Sequence, residues 1–251
     1  MGTSTWSIVK PQSGRQSQIA AWLLYCICLA ILPNVQTTRI DLLDRLKLST
    51  SLGVSRVSGI CEGGRTALRV SESSQTITLP SAYVFKEFQT NGFPTEFTIS
   101  AVIKPESGVV NPFLLRMKHE LTWRQLGFTV GESPEFHYRV SNDELEQFPT
   151  FSSVNLADGR WHKVAWSVYN EMVQLWVDCL LIAEKEVRRD TTTQLSLGGA
   201  VVFGEESGSV DKAFVGDIES FHIDSDPNIA GQMCRRDSDL SPDCRTPSLF
   251  A

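Results

Sequence analysis

Residues 157–179 read "ADGRWHKVAWSVYNEMVQLWVDC". Asp158-Gly159 is a turn signal, and the residues after it alternate with period two. Val164, Trp166 and Val168 point one way while Lys163, Ala165 and Ser167 point the other. "YNE" reverses the chain, after which Val173, Leu175, Val177 and Cys179 repeat the alternation. The stretch therefore predicts a β-hairpin with a strongly apolar inner face. His162 has no sequence-local nucleophile or carboxylate arranged about it, so it reads as a strand-start residue and not as a base.

The same period extends outward on both sides. In "EFTISAVIKP" (96–105), Phe97, Ile99, Ala101 and Ile103 alternate with Thr98, Ser100 and Val102. "QLGFTV", "EFHYRV", "AVVFG" and "AFVGDIESFHI" behave alike, with Gly, Pro, Asn and Asp between them. Many short strands and almost no long helical pattern predict an all-β antiparallel sandwich. Two segments differ. "RIDLLDRLKLST" (39–50) places Leu42, Leu43 and Leu46 on one helical face, so a short amphipathic helix is expected there. "PSAYVFKEF" (80–88) suits a helical turn between strands.

The chain has 251 residues, 41% of them hydrophobic and 21% charged, with a formal net charge of −6. Nothing in that balance supplies the basic face a nucleic acid requires. Lys10 and Arg15 precede the apolar run "IAAWLLYCICLAIL" (19–32), which Pro33 ends. A basic start, a short apolar core and a polar exit predict a signal peptide over 1–37. The run falls short of the roughly 20 apolar residues a bilayer span needs; an uncleaved signal anchor is the rival reading. Secretion is the resulting expectation, with the membrane contacted only through that peptide.

Cys26 and Cys28 would leave with the signal, and four cysteines remain: Cys61, Cys179, Cys234 and Cys244. In an oxidising compartment an even count predicts two disulfides, with three connectivities open, including the local pair Cys234–Cys244. A zinc site is the alternative, but no C-x-x-C pair or histidine spacing supports it.

Catalytic motifs are missing: there is no H-E-x-x-H, no G-x-S-x-G and no phosphate loop. "SVDK" (209–212) matches S-x-x-K by two letters only. No catalytic residue, metal ligand or cofactor is assigned, and a structural calcium has no motif behind it. Asp178, Asp217 and Asp224 sit near strand ends and read as solvated charge. Basic candidates for a polyanion are Arg116, Lys118 and Arg124, then Lys185, Arg188 and Arg189, then Arg235 and Arg236. None forms a dense run, and neighbouring acids dilute them.

The quoted residues resemble a family. "DGRWHKVAWSV" followed by "VQLWVDC" is similar to the hairpin of laminin-G-like domains of the thrombospondin N-terminal type. "FPTEFTISAVIK", "QLGFTVGESPEFHY", "VVFGEES", "FVGDIESFHIDSDPNIAGQMC" and "SPDC" match that pattern in order over roughly 39–244. The cysteines in "SGICEGGRTALRV", "VDC" and "SPDC" most resemble the amino-propeptide domain of fibrillar collagens of the type V and XI group. Thrombospondins, FACIT collagens and NEL-like proteins share the core and rank behind.

The resemblance implies a laminin-G-like jelly roll over 38–244 with a short tail, 245–251. It implies the pairs Cys179–Cys234 and Cys61–Cys244, worth roughly 4 kcal/mol each in the chain-entropy model. The implied role is a non-catalytic matrix head that limits fibril growth and contacts matrix proteins or proteoglycans. An adhesive module binding a glycosaminoglycan or receptor is the alternative, with Lys185, Arg188 and Arg189 as its candidate contacts. Two features depart from the pattern. No Gly-X-Y run is present, so these residues form no triple helix. After "VDC" the residues "LLIAEKEVRR" (180–189) are apolar and acidic before any basic pair.

Overall fold

The computed structural model describes residues 37–61, 65–120, 123–141, 145–204 and 212–233. The expected signal peptide, the expected tail, Cys234, Cys244, Arg235, Arg236 and most of "SVDK" lie outside the described residues. No helix among the described residues is long and apolar enough to cross a membrane.

Among the described residues, thirteen strands make two antiparallel sheets. The larger runs β11 (Leu180–Glu186), β10 (Met172–Val177), β9 (His162–Tyr169), β5 (Phe97–Pro105), β13 (Gly216–Asp224), β3 (Thr66–Val70) and β2 (Val54–Ser58), with β1 (Arg39–Asp41) also on β13. The smaller runs β4 (Ile77–Pro80), β12 (Ala200–Phe203), β6 (Phe113–His119), β7 (Trp123–Thr129) and β8 (Phe136–Tyr138). A bulge between Ile218 and Ser220 divides β13, whose first part pairs with β3 and whose last part pairs with β1.

The inner faces supply the core. Phe97, Ile99 and Ile103, Val164, Trp166 and Val168, and Val173, Leu175 and Val177 are buried, as their alternation predicts. They meet Met117, Leu126, Phe128 and Phe203 of the smaller sheet in one cluster. Phe128 bridges the two layers, its ring 5.1 Å from Trp166 and 5.9 Å from Phe221. Burying each such ring contributes about 2–3 kcal/mol. The helical turn α2 (Ser81–Val84) and the 3-10 turn Lys86–Phe88 appear where "PSAYVFKEF" predicts them. Their Phe85 and Phe88 close one end of the core against Phe93, which stacks edge-on against Phe97.

The expected helix over 39–50 is mostly not formed. Ile40 is buried between exposed neighbours and pairs with Ile223, so β13 takes Arg39–Asp41 as a strand. Asp41 then caps a single turn, α1 (Leu42–Arg45), by accepting from the backbone N–H of Leu43 and Asp44. Lys47, at φ +52°, ends it.

The two-residue turn joining β10 to β11 is Asp178–Cys179, with φ of +48° and +75°. That is the primed geometry a right-twisted hairpin needs. Cys61 and Cys179 are each disulfide-bonded. Because Cys234 and Cys244 lie outside the described residues, the implied two-bond framework and its pairing are not seen.

An ion-pair network ties the edge of the smaller sheet. The Glu146 carboxylate accepts from Arg124 Nε at 2.6 Å and lies 2.9 Å from His137 Nδ1, whose other ring nitrogen is 3.0 Å from Glu135. Arg124 also lies over Phe113, 4.4 Å from the ring centre. Burial pushes the Glu146 carboxyl up, but the bonds from His137 and Arg124 outweigh it and bring it from 4.5 to about 2.

Candidate functional site

The outer face of the larger sheet is where the polar halves of the alternation collect. Register puts Arg39, Asp224, Thr98, Ser167 and Gln174 in one row across five strands. The next row but one holds Asp41, His222, Ser100, Ala165 and Trp176.

A 3-10 helix, Pro227–Gln232, lies over the middle of these rows. Its fixing points are chemical. Thr98 Oγ1 donates to the Asp226 carbonyl at 2.8 Å, and Ser167 Oγ donates to the Pro227 carbonyl. The Asp226 side chain caps its first turn through Asn228 N at 2.8 Å. This cover explains a departure from the expected pattern: Lys163, Ala165 and Ser167 face outward yet are buried.

One flank of the 3-10 helix forms a groove of about 390 Å³. Trp176 and Tyr169 supply its rings, and Gln174, Asn170, Asn228 and Glu96 its polar groups. The indole is held in place: Trp176 Nε1 donates to Gln174 Oε1 at 3.0 Å, and Gln174 Nε2 donates to Glu184 at 2.8 Å. Tyr169 donates its hydroxyl to the same Glu184 carboxylate, which raises the phenol's pKa. Glu96 accepts from the Asn170 backbone N–H at 3.0 Å. A Cβ at Gly231 would lie 3.5 Å from the indole, so the helix crosses close to that ring.

Pre-positioned rings beside amides and a carboxylate suit a ligand with an apolar face and several hydroxyls.

His162 is taken up by structure. Its Nδ1 lies 2.9 Å from Asp178 and its Nε2 3.0 Å from Asp158, and the residue is 2% exposed. Burial pushes the imidazole down, but the two carboxylates outweigh it and raise it above its ordinary value. Asp178 also accepts from Lys163 N at 2.9 Å. The residues "WHK" and "VDC" are thus the two halves of one clamp between the start of β9 and the β10–β11 turn.

Of the other acids weighed from sequence, Asp217 binds Arg69 through both oxygens and Asp224 lies 3.9 Å from Arg39. Among the described residues no group of three His, Cys, Asp or Glu side chains is placed to hold a metal ion.

The three candidate glycosaminoglycan contacts do not make one surface. Lys185 is exposed on β11, and Arg188 is exposed with its backbone N–H donated to Gln147 at 2.6 Å. Arg189 turns inward to 7% exposure. Its guanidinium donates to the carbonyls of Asn170 and Thr95 and lies 5.9 Å from the Tyr138 ring centre. Arg116 is buried and Arg124 is paired with Glu146, so that group also forms no exposed basic face. Sequence patterning does not single out the Trp176 groove, although Gln174 and Trp176 on the outward phase of β10 are its visible trace.

Residues 124–226 match the family model described as Laminin G domain. Among solved structures, the binding domain of Paraclostridial Mosquitocidal Protein 1 aligns at 13% identity over 80% of this chain and 48% of that one, with a TM-score of 0.52. A mutant of HCR/D aligns at 13% identity over 74% of this chain and 47% of that one, with a TM-score of 0.51. The chain therefore spans about half the length of these two structures, and the likeness is one of fold. The described residues form a two-layer antiparallel β-sandwich, consistent with a laminin-G-like jelly roll, and residues 124–226, which are similar to a laminin G domain, fall across both layers.

Proposed function

We propose that this domain is a non-catalytic binding module whose ligand is a glycan, held in the Trp176–Tyr169 groove. The observation that supports it is the groove itself: two rings fixed by hydrogen bonds, with three amide side chains and Glu96 around them. A pyranose offers an apolar C–H face to the indole and hydroxyls to the amides. The expected signal peptide makes the module secreted, with matrix glycoconjugates or proteoglycans as its partners.

The test is a screen of the purified mature chain on immobilised glycans, followed by calorimetry with the best saccharide. Trp176→Ala should weaken binding at least tenfold, since a central tryptophan carries about 2 kcal/mol. An unchanged melting temperature would show that the fold is intact. Equal affinity of the variant and the parent chain would refute the assignment.

A narrower reading places the module as the amino-propeptide-like head of a type V/XI-like fibrillar collagen. It rests on the ordered motifs and on disulfide-bonded Cys61 and Cys179. Disulfide mapping of secreted protein should find Cys61 joined to Cys244 and Cys179 to Cys234. Any other partner for Cys61 counts against that branch.

A further inference from the structure

The polar groups of the Trp176–Tyr169 groove differ in how much hydrogen-bonding capacity they have left. Gln174 is committed to the frame: its oxygen accepts from the indole, and its nitrogen donates to Glu184 at 2.8 Å and to the Tyr169 hydroxyl at 3.3 Å. Ser167 donates to the Pro227 carbonyl, and the Asn228 amide nitrogen donates to Asp226 at 3.0 Å.

Glu96 is the exception. It stands half-buried immediately before β5, and one of its oxygens accepts from the Asn170 backbone N–H in the β9–β10 turn at 3.0 Å. Among the described residues nothing else donates to its carboxylate, and no cation is ion-paired with it. It is also the one charged side chain among the described lining residues. Arg189 holds the same turn but does not line the groove; it is buried, and its guanidinium donates to the Asn170 and Thr95 carbonyls.

A carboxylate oxygen accepts and cannot donate. A ligand seated beside the indole must therefore offer Glu96 a hydroxyl or an N–H. A carboxylate or sulfate at that position would bring no donor and a second negative charge. Glu184, bound to Tyr169 and Gln174, adds to the same field.

We propose that Glu96 is the specificity-determining residue of this groove. It selects neutral saccharides by accepting from a ring hydroxyl or an acetamido N–H, and it excludes sugars that carry a carboxylate or sulfate. The inference rests on the glycan reading of the groove and adds to it the charge class of the ligand. A like charge brought about 6 Å from a half-buried carboxylate costs about a factor of ten in affinity. Salt screens that repulsion, so binding of an anionic sugar should improve as ionic strength rises. Polyanion capture by a basic face has the opposite salt dependence.

The experiment compares the mature chain with its Glu96→Gln variant on an immobilised glycan screen built from charge-matched pairs. N-acetyllactosamine stands beside its 3′-sulfated and 3′-sialylated forms, a glucoside beside its glucuronide, and a desulfated keratan oligosaccharide beside its sulfated parent. Glutamine keeps an acceptor for the Asn170 N–H, so the melting temperature should not change. The wild-type chain should prefer the neutral member of the pairs it binds by about tenfold. The variant should bring the members close to equality, and added salt should narrow the wild-type gap. Equal or tighter wild-type binding of the anionic members overturns the proposal, and so does a gap that Glu96→Gln leaves unchanged. In either case, binding that Trp176→Ala abolishes keeps the groove as the glycan site. Absence of binding to every member, neutral or charged, refutes the groove reading and this one with it.

Discussion

Replacing Glu146 by Gln removes the charge at the centre of the Arg124–Glu146–His137 network while keeping its size. The wild-type carboxyl titrates at about 2 in the folded chain against 4.5 ordinarily. For a fully desolvated group that gap would be worth roughly 3 kcal/mol. Glu146 is only half-buried, so solvent screening reduces the expected loss to about 1–2 kcal/mol. A sandwich of this size should then melt about 3–8 °C lower at pH 7.

The sign of the pH dependence comes from the depressed value. The stabilisation is complete above the ordinary 4.5 and is lost as pH falls through about 2. Melting curves by circular dichroism at pH 7, 4 and 2.5 should show the two proteins converging as acid is added. A gap that stays constant across that range would refute the electrostatic reasoning, and so would an E146Q protein as stable as wild type at pH 7.

Asp178→Ala removes the bonds to His162 and to Lys163 N and leaves a β-carbon at φ +48°, so it should cost about 3 kcal/mol by urea denaturation. Asp178→Asn tolerates that conformation and should cost less. His162 is held above its ordinary value, so its contribution is present below about 6.5 and lost as pH rises through the raised value. The gap between wild type and D178N should therefore narrow from pH 6 to pH 9. Gly199→Ala would put a Cβ 1.7 Å from the Lys118 carbonyl oxygen where β12 joins β6, so the backbone must shift. The expected loss of about 2–3 kcal/mol should appear as a melting temperature lower by roughly 5–10 °C.

The fold is legible wherever one face of a strand is apolar and the phase is unambiguous, as in β5, β9 and β10. Residues 39–50 mislead because Ile40, Leu42, Leu43 and Leu46 fit a helix as well as a strand leading into a turn. Only the open edge of the last part of β13 decides between them. Outward residues of β9 would be solvated on their pattern alone, but the segment that covers them begins about sixty residues later, at Pro227. His162 illustrates the same limit. Asp158 and Asp178 flank it only once the hairpin register is set, and no local spacing announces that. Arg189 reads as a free cation in the sequence because its carbonyl partners, Asn170 and Thr95, belong to two other loops.

The central claim is that the Trp176 groove receives a saccharide, and the indole N–H of Trp176 is its most direct witness. In a ¹⁵N-correlated spectrum of the mature chain, adding the glycan selected by screening should shift the Trp176 indole signal and the side-chain amides of Asn170, Gln174 and Asn228. The buried Trp166 indole should stay in place. Saturable binding that leaves the Trp176 signal unmoved would contradict the claim and put the ligand elsewhere on the domain.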